Sequence, residues 1–326
     1  MNKRRIGKSE VYVSEMSLGC WTMGGLNFVE GKPNGWANVD EDQITAAVKT
    51  AIENGVNHFD NADVYGNGRA ERMLARVFKK LGLNSEEYIV ASKVGHFKGD
   101  AAHAYEPDHI RRQCEQSLLN LQRDYIDLYY LHHGDFGKDD LYLQGAADTL
   151  NALQKEGKIR VKGQSAYRAS EFEKSVPIVN PDVLQSWAHA MDDKFIEPTG
   201  VVGQLLKKNH LSFVAFSPLN QGILLDKFDP EKPPQFEAGD HRKGSVKFTT
   251  EFLRRQKPKI SLLKKRFGNE TSILSSTALR YVLNHPHVAC VIPGFRNERQ
   301  VLCNLSVKDS VLTKEDMDFI RSLFSD

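Results

Sequence analysis

Eight short runs rich in β-branched and aromatic residues alternate with longer stretches of helical periodicity, and no low-complexity linker divides the 326 residues. Such alternation calls for crossover connections, so the strands run parallel and helices cover the sheet. The runs fall at 15–19, 56–60, 88–93, 126–132, 161–165, 183–186, 213–217 and 289–293. Between them, 40–54 has alanine, valine and isoleucine at helical spacing, with Asp40 as N-cap. The stretch 107–121 opens on a proline and keeps Ile110, Cys114, Leu118 and Leu121 on one stripe. A third helix, 144–156, runs into Gly157 as its C-cap, and a fourth, 272–283, stops at Asn284-His285-Pro286. The pattern predicts one domain over 1–326, an α/β chain closed into a (β/α)₈ TIM barrel with long loops on the catalytic face. Residues 8–13 belong to an expected N-terminal hairpin under the barrel. The polar connection 219–251, after the seventh run, is expected to be a lid. A doubly wound nucleotide-binding sheet is the alternative, but Gly24-Gly25 opens no G-x-G-x-x-G and no immediate helix.

Hydrophobic content of 40% and charged content of 26% are ordinary for a globular chain, and a net charge of +2 argues against nucleic acid as the partner. The basic start Lys3-Arg4-Arg5 is short and reads as a solvated terminus. No apolar run approaches the roughly 18 residues a membrane helix needs, and residues 1–10 lack a secretory core. Cys20, Cys114, Cys290 and Cys303 have no metal-ligand spacing. A reducing cytoplasmic location is expected, with no membrane, no metal, and an oligomer possible.

Three of the runs end in ionisable residues. The second reaches Asp60, and Tyr65 follows five residues later beside Gly66 and Gly68. The third ends at Lys93 and the fourth at His132. These are the groups that reduction of a carbonyl requires. Hydride arrives at carbon, charge grows on oxygen, and a proton must be supplied there. A free phenol has a pKa of about 10, and a neighbouring cation brings it nearer the operating pH. Tyr65 is therefore the expected proton donor, with Lys93 as the cation that tunes it. Asp60 steadies the buried ammonium, and a neutral His132 orients the carbonyl oxygen.

Gly55…Phe59-Asp60-x-Ala62-x-x-Tyr65-Gly66, Ala91-Ser92-Lys93 and Asp127-Leu128-Tyr129-x-x-His132 resemble the three catalytic signatures of the aldo-keto reductases. The likeness continues through Leu18-Gly19-Cys20-Trp21, Phe216-Ser217-Pro218-Leu219 and Ile292-Pro293-Gly294. It is nearest to the branch with bacterial reductases and potassium-channel β subunits. The resemblance implies a nicotinamide site. Phe216 would stack on the ring, with Ser165 and Gln185 holding the carboxamide, and Ala166 stands where the family has an amide side chain. Trp21 is implied beside cofactor and substrate. The pyrophosphate would lie along Ser217, Leu219, Gly222 and Lys227, with Arg242 helping. At the adenosine end come Gly294, Arg296 on a 2′-phosphate, then Gln300 and Asn304 near the base. Cys303 replaces a usual glutamate. NADPH/NADP⁺ is thus expected ahead of NADH.

Trp21, Trp36, His133 and Phe136 are expected to line the pocket of a small-molecule carbonyl substrate. Asp135, Lys138, Asp139 and Asp140 nearby suggest a hydroxylated one, such as a sugar aldehyde or keto-sugar. Two other classes stand beside NADPH-dependent reduction. One is an NADP(H)-binding regulatory subunit with residual reductase activity. The other is a metal-dependent hydrolase built on His58, Asp60, His132 and His189, in which Lys93 would sit where the metal's charge belongs.

Overall fold

The computed structural model describes residues 1–29 and 31–325. Its strands, in chain order, are β1 (Lys3–Arg5), β2 (Tyr12–Ser14), β3 (Leu18–Gly19), β4 (Leu26–Val29), β5 (Lys32–Gly35), β6 (His58–Asp60), β7 (Ile89–Val94), β8 (Ile126–Leu131), β9 (Ile159–Ser165), β10 (Val183–Trp187), β11 (Ser212–Phe216) and β12 (Val288–Ile292). Eight of them form one parallel sheet in the order β3-β6-β7-β8-β9-β10-β11-β12. Parallel bridges from Met16 to Val291 and from Gly19 to Gly294 bring the two edges together, so the sheet closes. The first expected run, 15–19, is only two residues of strand. Glu15 and Ser17 still exchange hydrogen bonds of 2.9 Å with Val291, as part of that closing seam.

The helices are α1 (Trp21–Gly24), α2 (Glu41–Glu53), α3 (Arg69–Lys80), α4 (Pro107–Leu121), α5 (Leu143–Lys155), α6 (Ala169–Val179), α7 (Val201–Asn209), α8 (Thr250–Phe267), α9 (Thr271–Leu283), α10 (Glu298–Leu305) and α11 (Lys314–Phe324). Asp40 caps α2 through the amides of Asp42 and Gln43, as its sequence position suggests. Apolar stripes on these helices bury against the outer face of the barrel in one large cluster.

The inside of the barrel is filled separately. Ala91, Leu128, Tyr130, Val161, Val183, Val214 and Ala289 point inward, and Ile6, Val11 and Val13 plug them from below. The plug is the β1–β2 hairpin, with Lys3 opposite Ser14. Its turn needs Gly7, whose φ is +50° and whose missing Cβ would strike the Asp182 carbonyl. With the bottom sealed, the open mouth lies at the carboxyl ends of the strands, where barrel sites are built.

Two loops rise over that mouth. The β4–β5 hairpin pairs Leu26 with Gly35. The long connection after β11 carries short 3₁₀ turns at Asn220–Leu225 and Val246–Phe248. Between those turns it crosses to the hairpin, where His241 donates its amide to the Gly35 carbonyl at 2.9 Å. Its position is that of a lid.

Candidate active site

Alternation along the strands decides which side chains enter the mouth. On β7, Ala91 and Lys93 share the inward face, and on β6 His58 and Asp60 do the same. On β8, Leu128 and Tyr130 point inward and the next residue of that series is His132. The lysine, the aspartate and the histidine therefore converge above the packed interior.

Lys93 is 0% exposed. Its ammonium donates to Asp60 Oδ2 at 2.7 Å and to the Asn61 carbonyl at 2.6 Å, and lies 3.4 Å from the Tyr65 hydroxyl. An ammonium has three protons, and these three oxygens account for all of them. The other Asp60 oxygen accepts from the Gln185 amide at 2.9 Å, so the buried carboxylate is also fully engaged.

Tyr65 is set by a tight turn. Gly66 has φ +59°, and a Cβ there would collide with the Gly24 carbonyl, so the loop lies directly on α1. The tyrosine ring consequently stacks on Trp21, 5.8 Å away and inclined by 22°. Burial raises the affinity of its phenol for the proton well above the ordinary value, and the Asp60 charge raises it further. The sequence predicts the opposite pull, from Lys93. Asp60 neutralises that cation in the free site, so desolvation prevails and the phenol is kept loaded with its proton.

His132 lies edge-on to Tyr65, 5.9 Å between rings. Burial drives its affinity for a second proton well below normal, with His96 and Lys93 adding to the effect. It is neutral, and its Nδ1 is buried without a partner among the described residues.

Around this centre the expected cofactor contacts divide. Ser165 Oγ is buried and has no partner among the described residues. Phe216 is half-buried beside Trp187 and Tyr167, and Ala166 takes part through its backbone alone, its carbonyl accepting the Ser186 hydroxyl and its amide donating to the Gln185 carbonyl. The Gln185 amide nitrogen also donates to Asp60 Oδ1 at 2.9 Å, which ties it to the catalytic carboxylate. Ser217 has φ +54° and Gly222 φ +93°, bending the chain sharply after β11, with Leu219 half-buried between them.

Cations gather at the far end. One guanidinium nitrogen of Arg296 is buried without a partner among the described residues, and the group lies 5.2 Å over the Trp36 ring. Arg242 covers the same ring at 4.7 Å but is paired with Asp240 at 2.8 Å. Burial and the Arg242 charge make Arg296 harder to keep protonated, and burial with Arg299 and Arg242 does the same to Lys227. Charges held together in this way seek an anion. Gly294 is exposed, with only the Thr22 methyl near its missing Cβ. Gln300 and Asn304 are each partly engaged within the fold. The Gln300 carbonyl accepts the Arg296 amide at 2.7 Å, and Asn304 is buried against Ser275 at 3.2 Å, so both amide oxygens serve the fold.

Trp21 and Trp36 meet edge to face at 5.7 Å, and His241 from the lid sits 4.6 Å from Trp21. His133 turns away: its Nε2 meets the Gly95 carbonyl at 2.7 Å and its Nδ1 accepts the Asp135 amide at 3.2 Å. Phe136 is fully buried behind the site, stacked on Tyr105. Asp140 is paired with Lys174, and Asp135 caps its own turn at Gly137. Four residues at the mouth were not expected: His96, Tyr167, Trp187 and His241. Each lies just past or at the end of a barrel strand, or on the lid, the same positional signal that marks His132.

The metal reading fails on chemistry. Both Asp60 oxygens are already bonded, one to the Lys93 ammonium and one to the Gln185 amide, and His58 is bonded to Ser17 at 2.6 Å inside the barrel. Among the described residues, the candidate ligand set is elsewhere, at Asp193, Glu197 and His285, and Arg321 already occupies it at 2.9 Å from Glu197. No described helix is long and apolar enough to cross a membrane.

Known proteins agree with this geometry. An L-galactose dehydrogenase from Arabidopsis thaliana is 27% identical over 308 residues, covering 93% of this chain and 86% of its own. A probable voltage-gated potassium channel subunit beta from Oryza sativa subsp. japonica is 24% identical, covering 99% and 96%. An aldo-keto reductase of Bacillus halodurans in its holo form superposes with a TM-score of 0.76 at 25% identity, covering 99% and 96%. The aldo/keto reductase family model matches residues 15–324. The chain belongs to the aldo/keto reductase family, oxidoreductases of small carbonyl and alcohol substrates.

Proposed function

We propose that the protein reduces a small aldehyde or ketone to the alcohol with NADPH, Tyr65 giving the proton. One observation carries this reading. The Tyr65 hydroxyl lies 3.4 Å from an ammonium that is itself held by a carboxylate at 2.7 Å, with a neutral imidazole beside the phenol. The residues present also fit a dinucleotide, since Ser165 Oγ and an Arg296 guanidinium nitrogen are both buried and orphaned at opposite ends of the mouth. Ser165 and Phe216 would hold the nicotinamide end, and Lys227 and Arg296 the phosphates. An unpaired guanidinium suits a 2′-phosphate, which favours NADP(H) over NAD(H). When bound, the nicotinamide supplies the hydride.

The chain's own residues manage the proton. The substrate oxygen accepts from the Tyr65 hydroxyl and from His132, which polarises the carbonyl without carrying a charge. Burial keeps the phenol protonated until negative charge develops on that oxygen. Transfer then leaves a phenolate facing the Lys93 ammonium, which stabilises it at the moment it forms. Asp60 and Gln185 keep the ammonium from following the charge. Trp21, stacked on Tyr65, excludes water from the exchange.

The test is consumption of NADPH absorbance with a panel of small aldehydes and ketones. Tyr65→Phe should lower kcat roughly a hundred- to ten-thousand-fold while NADPH still binds. A fully active variant would overturn the assignment. Likeness to a channel β subunit favours a second reading, an NADP(H)-binding regulatory subunit with residual activity. The complete set of four catalytic groups favours chemistry, and no turnover across the whole panel would reverse that preference.

A further inference from the structure

Resting on that reading, we propose that His96 and Tyr167 form a recognition pair for a hydroxyl on the carbon next to the carbonyl, so that the substrate is an α-hydroxy aldehyde or ketone. His96 follows β7 by two residues and Tyr167 follows β9 by two, and the site as described above leaves both unused. The His96 ring centre is 4.3 Å from that of His132, the two planes inclined at 66°. Oxygens bonded to His96 and to His132 can therefore sit on adjacent carbons, three bonds apart, as in an α-hydroxy carbonyl. His96 Nε2 and the Tyr167 hydroxyl are 3.3 Å apart, and Nδ1 has no partner among the described residues.

This pair is unlike the neighbouring His133, whose two nitrogens are both spent on the backbone. A neutral imidazole carries one donor and one acceptor, and a phenol hydroxyl is both. If Tyr167 donates to Nε2, then Nδ1–H is a donor; if it accepts, Nδ1 is an acceptor. A substrate hydroxyl, being both, is matched either way. Burial, with the charges of His133 and Lys93, brings the imidazole's pKa down to about 4, so it stays neutral over the working range.

Tyr167 also shapes the opening. It is 40% exposed, stacks on Trp187 at 6.2 Å and approaches Phe216 at 6.5 Å. Trp21 and Trp36 form the opposing wall. Between aromatic walls, the paired imidazole and phenol are the polar feature beside His132. An analogue without the hydroxyl would leave them unmatched, which is how such sites discriminate most strongly.

The experiment compares kcat/KM for 2-hydroxypropanal and propanal, which differ by that hydroxyl alone, with NADPH as reductant. The wild type should prefer the hydroxylated substrate. In His96→Phe that preference should fall roughly ten- to hundred-fold. Tyr167→Phe, which keeps the ring against Trp187, should reduce it in the same direction by a smaller factor. A purely structural role would lower both substrates together, and an unchanged ratio in both variants would overturn the pair. Wild-type turnover of neither aldehyde would overturn this inference, and the reductase reading falls with it only if the whole panel of aldehydes and ketones is inert as well.

Discussion

Both carboxylate oxygens of Asp63 are buried without a hydrogen-bond partner among the described residues, two positions before the proposed proton donor. Burial raises its affinity for a proton well above the usual carboxylate range, and the nearby Glu71 raises it further. The folded chain thus binds this proton more tightly than the unfolded chain, whose aspartate titrates at about 3.9. Stability from the group is fully present below that value and is lost as pH rises toward the folded pKa. Asp63→Asn, equal in size and always neutral, should leave the melting temperature nearly unchanged at pH 4 and raise it at pH 8. Glu71, also pushed up by burial, leaves some pH dependence in the variant. Thermal melts across that range check this, and parallel curves for the two proteins would sink it. At this scale the sequence was legible where a strand carries a side chain inward, which is why Asp60, Lys93 and His132 could be chosen beforehand. It was silent for His96 and Tyr167, which lie beyond the strands where period two no longer applies. Nor did it foresee the bonds that Gln185, Gln300 and Asn304 make within the fold, because a spacing says nothing about which neighbour claims an amide.

Elements in a barrel are held in register from outside as well as within. Asp127 points outward from β8, accepting from the Val90 amide on β7 at 2.9 Å and from Arg160 on β9 at 2.9 Å. It also pairs at 2.9 Å with Arg123, whose side chain is 1% exposed. One carboxylate therefore ties three strands and the turn entering the middle one. It belongs to the same short signature as His132, yet its work is structural. Asp127→Ala leaves a buried guanidinium without its carboxylate, and should cost about 3 kcal/mol. Urea unfolding should show a lower midpoint with an unchanged slope, whereas a loss below about 1 kcal/mol would mean that the backbone carbonyls around Arg123 suffice. Apart from the first run, whose strand begins three residues late, the strands and the four expected helices were readable from period and caps to within a residue or two. The β4–β5 hairpin was not, because Pro33 and two glycines disguise it as a loop. Nor was α8, whose charged face and internal Pro258 merge with the polar connection before it.

Across the whole molecule, closure was legible in the count of eight runs, while the path of the lid was not. No periodicity records that residues near 240 return to Gly35. That crossing assembles the cationic end from three distant segments: Trp36 after the hairpin, Lys227 and Arg242 on the connection, and Arg296 after β12. Of these, Arg242 is balanced by Asp240, and Arg296 is left with a buried, unpartnered nitrogen over the Trp36 ring. With NADP⁺ as the proposed ligand, its extra phosphate pairs with that nitrogen, and binding to the folded state alone must raise the melting temperature. Ligand at about one hundred times its dissociation constant contributes about 2.7 kcal/mol, a shift of several degrees for a chain of this size. NAD⁺ at the same concentration should shift it less. Arg296→Ala should weaken NADP⁺ by roughly ten- to hundred-fold, the loss of one charge-assisted contact, and bring its shift down to that of NAD⁺. The NAD⁺ shift itself should barely change. Equal losses for both dinucleotides would instead make Arg296 a brace for the Trp36 ring and remove it from phosphate recognition.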